Sequence, residues 1–223
     1  MFLIAAATEI EMVPLQRLLE EANIRYPTLI TGAGPVEAAV RMAVFLAARH
    51  KAITAVVNVG VAGGYIVDGG GDDGPKLLDL YLARTEAFGD LGICYPDRID
   101  PLPEHLTGRM RFQMDPNLLT HARRICVEHD IHVKTGDFIT VAGASATRGR
   151  GNMFKERLQG CCEDMEGAAV ARVCAEYSLP MLAIRCISNL VEDRDLTRWR
   201  LSEACAIAAQ AAAVIIKNLS ERL

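Results

Sequence analysis

The chain has 223 residues, of which 51% are hydrophobic and only 5% aromatic, with a net charge of −4. That length fits one α/β domain whose core is filled by Ala, Val, Leu and Ile. No run of basic residues is present, so the electrostatic footprint of a nucleic-acid binder is missing and no nucleic-acid partner is expected.

The opening MFLIAAATEIEM is apolar for only about six residues and lacks a basic leader, which excludes a signal peptide on this pattern. Phe2 to Ala7 reads as a buried strand, and Glu9 to Glu21 as a helix with Leu15, Leu18 and Leu19 on one face. Tyr26 to Thr31 is a second strand, closed by Gly32-Ala33-Gly34-Pro35. Val36 to Arg49 is an Ala-rich helix with Pro35 near its first turn. Ile53 to Val59 is a central strand, and Gly60-Val61-Ala62-Gly63-Gly64 reads as the turn that ends it. Asp68 to Lys76 is a glycine-rich loop without the spacing of a phosphate-binding loop. Leu77 to Phe88 is a strand; Gly89 to Met114 is irregular, and segments of that kind are often functional.

Asp115 to His129 is a helix with Asp115 and Pro116 as start signals. Ile131 to Val141 is a strand and Gly143 to Gly151 a small-residue loop. Gly160 to Met165 is a short strand leading into a helix from Glu166 to Tyr177. Leu182 to Ser188 is a buried strand, and Leu201 to Leu219 a long Ala-rich helix. No segment reaches the roughly eighteen consecutive apolar residues of a membrane span, so no membrane partner is expected. Strands and helices alternate, which predicts a three-layer α/β/α sandwich on a central mixed sheet, as a single domain over 1–223.

The seven cysteines (Cys94, Cys126, Cys161, Cys162, Cys174, Cys186 and Cys205) are odd in number and contain no CxxC pair. Most lie in apolar segments, which points to packing and to a reducing, cytoplasmic setting rather than a disulfide framework. Packing is also the preferred reading of the vicinal pair Cys161-Cys162, against redox activity. The five histidines show no metal-ligand spacing, and His105 is the one to watch. No cofactor and no metal are expected. The serines lack a G-x-S-x-G context, which argues against a serine hydrolase.

Two stretches carry the chemistry. Glu163-Asp164-Met165-Glu166-Gly167-Ala168-Ala169 places acids where a strand hands over to a helix. Ile184-Arg185-Cys186-Ile187-Ser188-Asn189 ends a buried strand in polar residues. Ligands bind outside the carboxyl ends of such strands. An ionised Glu166 could accept two hydroxyl hydrogen bonds from a diol; equally, it could be an acid favoured by a helix N-terminus. Glu9 and Glu11 follow the first strand, where a carboxylate could serve as a general base on water. They fit the helix-terminus reading as well.

Taken together, the chain resembles the nucleoside phosphorylase/nucleosidase superfamily, and within it the bacterial methylthioadenosine/S-adenosylhomocysteine nucleosidases. The resemblance runs nearly end to end: Ala7-Thr8-Glu9-Ile10-Glu11, Thr31-Gly32-Ala33-Gly34-Pro35-Val36, Asn58-Val59-Gly60-Val61-Ala62-Gly63-Gly64, Thr135-Gly136-Asp137 and both stretches above. It implies a nucleoside phosphorylase-like fold and N-glycosidic cleavage of a purine nucleoside. By resemblance Glu11 activates water, Glu166 holds the ribose hydroxyls and Met165 packs on the ribose. Thr8, Gly60, Ala62, Gly63 and the segment Phe138, Ile139, Thr140 would complete the substrate site, with Phe138 either a stacking ring or plain core. The superfamily usually forms homodimers or larger homo-oligomers, and Gly89 to Met114 is the expected contact region.

One departure is informative. Nucleosidases acting on adenine nucleosides carry aspartate where this chain has Asn189. An amide cannot transfer a proton to purine N7, but it can donate a hydrogen bond to N7 or to a 6-oxo group. Asn189 therefore points to a 6-oxopurine such as hypoxanthine. The segment Ser188 to Asp195 with Trp199-Arg200 and Glu203-Ala204 resembles the futalosine-hydrolysing branch, which releases hypoxanthine in the alternative menaquinone pathway. Arg194, Arg198 and Arg111 are then candidates for the benzoate on the 5′ substituent, or ordinary solvated arginines. The other readings are a methylthioadenosine nucleosidase, a phosphorylase with Arg84 in its phosphate site, and a non-catalytic nucleoside-binding protein.

Overall fold

The structure, a computed structural model, describes residues 1–67 and 74–220. Most of the expected Asp68 to Lys76 loop lies outside the described residues. Strand β1 (Phe2–Ala6) is buried at every position. Its side chains alternate, with Phe2, Ile4 and Ala6 in one core and Leu3 and Ala5 in the other, so both faces are covered. Helix α1 (Glu9–Glu21) starts at Thr8 in a capping box with Glu11. After β2 (Thr28–Ile30), α2 (Pro35–Arg49) begins with proline at its first turn.

Strand β3 (Ala55–Tyr65) corrects the sequence reading. The glycines at 60, 63 and 64 do not form a turn; the strand runs through them for eleven residues. β4 (Leu80–Phe88) follows. The segment expected to be irregular contains a hairpin of β5 (Gly92–Cys94) and β6 (Ile99–Pro101), a single helical turn α3 (Glu104–Thr107) and β7 (Arg111–Gln113). Helix α4 (Pro116–Glu128) is capped by Asp115, whose carboxylate accepts the Asn117 and Leu118 N–H groups. β8 (Lys134–Thr140) leads to α5 (Arg148–Leu158), a helix occupying part of the expected loop. β9 (Cys162–Asp164), α6 (Gly167–Glu176), β10 (Met181–Val191) and α7 (Leu201–Ser220) complete the chain.

The main sheet has eight strands and is mixed, as expected. Its order is β10-β4-β8-β9-β3-β1-β2, and β10 also pairs with β3, so these strands close a circuit. Parallel β10 and β3 run in register from Met181↔Val56 to Ile187↔Ala62, then resume at Asn189↔Gly63. Ser188 is the extra residue of a bulge, which resets the alternation and re-aims Asn189.

Helices α1, α4 and α7 cover one face, over Ile4, Val57, Leu82 and Leu182, while α2 and α6 cover the other, over Leu3, Val56 and Ala183. A smaller cluster of Tyr65, Ile139, Val141, Phe154 and Val191 lies beneath α5. The stretch Leu196–Leu219 meets the length and composition of a membrane span, unlike the sequence expectation. Its Ala204, Ala208, Ala212, Ile215 and Ile216 are nevertheless packed in the core beneath the sheet.

Candidate active site

A cavity of about 250 Å³ opens where β1, the later part of β3, β9 and β10 end. Thr8, Glu11, Ala62, Gly63, Met165, Glu166 and Asn189 all line it, although they come from both ends of the chain.

Glu11 is held on both oxygens. Oε2 accepts the Thr8 N–H at 3.0 Å and the Thr8 hydroxyl at 2.8 Å, and Oε1 accepts the Val61 N–H at 3.1 Å. Each carboxylate oxygen retains further acceptor capacity for water. Gly60 does not line the cavity, and this corrects its expected place beside the purine. A Cβ there would lie 2.6 Å from Glu11 Oε1, so glycine leaves the space the carboxylate fills.

Glu166 stands at the N-cap of α6, and its Oε1 accepts the Gly34 N–H at 2.7 Å. Gly34 has φ +89°, a left-handed conformation that glycine adopts without strain. Burial, reinforced by the nearby Asp164 charge, pushes the Glu166 carboxyl up to about 7; the Gly34 N–H and Arg185 oppose the rise.

Behind both acids lies a buried charge network. Arg185 is only 2% exposed; its guanidinium pairs with Asp164 at 2.8 Å and donates to Asn58 Oδ1 at 2.5 Å. Asp164 Oδ1 accepts the Thr140 hydroxyl and the Gly167 N–H at the start of α6. Burial alone would lower the Arg185 pKa, but Asp164, Glu86 and Glu166 outweigh it and hold the group charged. Glu86 is fully buried next to this pair, and burial together with the Asp164 charge keeps its carboxyl well above the usual range.

At the other end of the cavity, Ser188 Oγ donates to Asn189 Oδ1 at 2.9 Å. One lone pair of the amide oxygen is thereby occupied, and Nδ2, which donates to the Leu190 carbonyl at 3.4 Å, keeps a second N–H for a ligand. Ser145 also lines the cavity; its N–H and hydroxyl both bind Glu163 at 2.7 Å, and Tyr65 donates its hydroxyl to the same carboxylate at 3.1 Å.

The expected segment Phe138, Ile139, Thr140 is displaced from the cavity. Phe138 belongs to the α2/α6 core, Ile139 to the cluster beneath α5, and Thr140 binds Asp164. Strand alternation and burial consume these side chains, and Val141, Ala144 and Ser145 line the cavity instead. Phe138 is therefore core, and no stacking ring stands there. Of the three arginines considered for an anionic substituent, only Arg194 reaches the cavity. Arg111 donates to Thr85 Oγ1 and the Leu158 carbonyl, and Arg198 pairs with Glu192 and Asp195. Arg84 is bound through two nitrogens to Asp137, outside the cavity. His105 is exposed on α3, also outside it. Among the described residues, no group of three or more His, Cys, Asp or Glu could hold a metal ion.

Sequence reasoning assigned no role to Arg185, Asp164, Glu163, Ser145 or Trp199. The available signal was an arginine inside an apolar strand and two acids in another, since buried charges require partners.

A profile of the phosphorylase superfamily matches residues 27–221. The chain belongs to the phosphorylase superfamily. Among its relatives in the superfamily, it is 31% identical to futalosine hydrolase of Thermus thermophilus over 189 residues, 82% of this chain and 77% of that protein. Futalosine hydrolase of Streptomyces coelicolor is 28% identical over 187 residues, 82% of this chain and 75% of that protein. The superfamily fold is matched by the native structure of futalosine hydrolase of Helicobacter pylori, with a TM-score of 0.84, 18% identity and 97% of each chain covered. The methylthioadenosine/S-adenosylhomocysteine nucleosidase of Neisseria meningitidis, in complex with methylthio-immucillin-A, matches with a TM-score of 0.82 at 22% identity, over 97% of this chain and 98% of that one.

Proposed function

We propose that this protein hydrolyses the N-glycosidic bond of futalosine, releasing hypoxanthine and dehypoxanthine futalosine, within a cytoplasmic menaquinone pathway. The observation that carries the reading is one cavity lined by Glu11, Glu166 and an Asn189 whose amide oxygen is already engaged by Ser188. The two relatives named futalosine hydrolase, from Thermus thermophilus and Streptomyces coelicolor, support it.

In this mechanism the bond from C1′ to purine N9 stretches and the sugar gains oxocarbenium character. Glu11, fixed by Thr8 and Val61, orients water on the opposite face and takes its proton, a role that contributes about 10²–10⁴-fold when well placed. Glu166 accepts the ribose hydroxyls and fixes the ring for attack, with Met165 against the sugar. Asn189 Nδ2 donates to the departing base. No cofactor or metal is assigned a part. A phosphorylase reading is weakened by Arg84, which is committed to Asp137. An adenine nucleosidase would require a proton donor at purine N7, which the Asn189 amide does not supply. The active form is a homo-oligomer.

The test is release of free base from futalosine, inosine, methylthioadenosine and S-adenosylhomocysteine, with and without phosphate. Futalosine should be cleaved fastest and without phosphate. Faster cleavage of methylthioadenosine would overturn the assignment. Glu11→Gln should lose turnover while still binding futalosine; full turnover by that variant would remove Glu11 from the mechanism.

A further inference from the structure

Among the described residues, the cavity is lined by four acidic side chains, Glu11, Glu163, Asp164 and Glu166, and by one basic side chain, Arg194. Arg194 approaches from the segment after β10. Its backbone N–H donates to the Ala146 carbonyl at 3.1 Å, which ties that segment to the loop carrying Ser145. Its guanidinium lies 5.0 Å from the centroid of the Trp199 ring. Among the described residues no carboxylate pairs with it, whereas neighbouring Arg198 and Arg200 are each paired with acids. Arg194, Trp199, Asn189 and Ser145 also border one small recess beside the main cavity, together with Glu192 and Asp195, whose carboxylates are paired with Arg198.

We infer that Arg194 is a catalytic residue that stabilises the negative charge on the departing 6-oxopurine, supplying what Asn189 cannot. This inference rests on the nucleoside hydrolase reading above. When the C1′–N9 bond breaks, its electron pair stays on the purine and spreads to N7 and O6. Water oxygen bonds to C1′, and Glu11 holds the proton released. An asparagine lends a hydrogen bond but no proton, so the base leaves as an anion. That anion is stabilised by a positive partner, and Arg194 shares with Asn189 a recess that neither Glu11 nor Glu166 borders. The base then takes its proton from water on release, and Glu11 returns its own to solvent. The cation–π contact with Trp199 restrains the guanidinium beside the recess.

The test compares wild type, Arg194→Gln and Arg194→Lys on futalosine, N7-methylfutalosine, inosine and N7-methylinosine, with thermal melting as the check on folding. An N7-methylated purine leaves as a neutral base and needs no cation. Arg194→Gln is expected to lower kcat on futalosine and inosine by about 10²-fold, in the range for removing one charge-stabilising donor. The N7-methyl substrates should be spared, and lysine should recover part of the loss. A raised KM confined to futalosine, with kcat and inosine unchanged, would overturn the inference and assign Arg194 to the 5′ carboxylate. Unchanged kinetics on all four would leave Arg194 a solvated arginine. Wild type that cleaves inosine but not futalosine would sink the futalosine assignment while the inosine pair still tests Arg194. Cleavage of neither removes both readings.

Discussion

A carboxyl group raised to about 7 from an ordinary 4.5 makes Glu166 sensitive to pH across the neutral range. In the proposed mechanism Glu166 accepts two ribose hydroxyls in its ionised form, so kcat/KM, which reports the free enzyme, should rise with pH and level off above about 7. Glu166→Gln should lose that limb of the profile along with most of the activity. Stability has the opposite sign. The native carboxyl binds a proton more tightly than the unfolded one, so the ligand-free protein should lose stability as pH rises from 4.5 to about 7. Urea unfolding at both ends of that window measures it, and the trend should flatten in Glu166→Gln. Gly60 acts through a neighbour. Gly60→Ala would place a methyl 2.6 Å from Glu11 Oε1 and displace the carboxylate from the Val61 N–H. A shift of that kind costs on the order of 10²-fold in rate, read as lower kcat on a protein that still folds.

At the level of elements, Leu15, Leu18 and Leu19 at helical spacing located α1, and alanine-rich composition, with Pro35 at the start of the first, located α2 and α7. Asp115 and Pro116 marked the start of α4 for a local reason that sequence displays directly. Three features were hidden because their causes are tertiary. The glycines of β3 looked like a turn, yet Gly60 is small because Glu11 from another element fills the space beside it. Phe138 to Thr140 looked like a ligand wall, but strand alternation and the Asp164 network claim them. Helix α5 was missed because Arg148-Gly149-Arg150-Gly151 has poor helix propensity, and its start depends on the Thr147 side chain accepting the Arg150 N–H. The Glu11 and Glu166 positions were legible, whereas the ion pair behind them was not. Asp164→Ala would leave Arg185 buried without its direct partner and disconnect the start of α6. A loss of about 3–5 kcal/mol is expected in urea unfolding, toward the lower figure because Glu86 stands beside Arg185 and can ionise in place of the missing acid.

For the whole molecule, the surface of α2 is the prominent feature. Val36, Val40 and Val44 recur at four-residue spacing and are 76%, 53% and 69% exposed. Such a stripe on one helix face suits a contact with a second copy. Ile10, 56% exposed, lines the cavity from α1, so a partner on this side would also shield the substrate. Leu106 and Ile93, at 68% and 51%, lie within the Gly89 to Met114 segment expected to make that contact. In the proposed homo-oligomer, Val40→Lys should shift sedimentation toward the monomer and raise KM more than it lowers kcat.

The closed circuit of strands also sets when the protein becomes active. β1 and β3 come from the start of the chain, while β10, which pairs with β3 along its length, comes near the end. Glu11 leaves the ribosome early, and Asn189 and Arg194 leave it late. Pairing between such distant segments is slow to form, and in the proposed mechanism the growing chain, until β10 inserts, has Glu11 but lacks Asn189. On that mechanism a nascent or C-terminally cut chain is expected to be inert toward nucleosides, with hydrolysis beginning only once the last strand is in place.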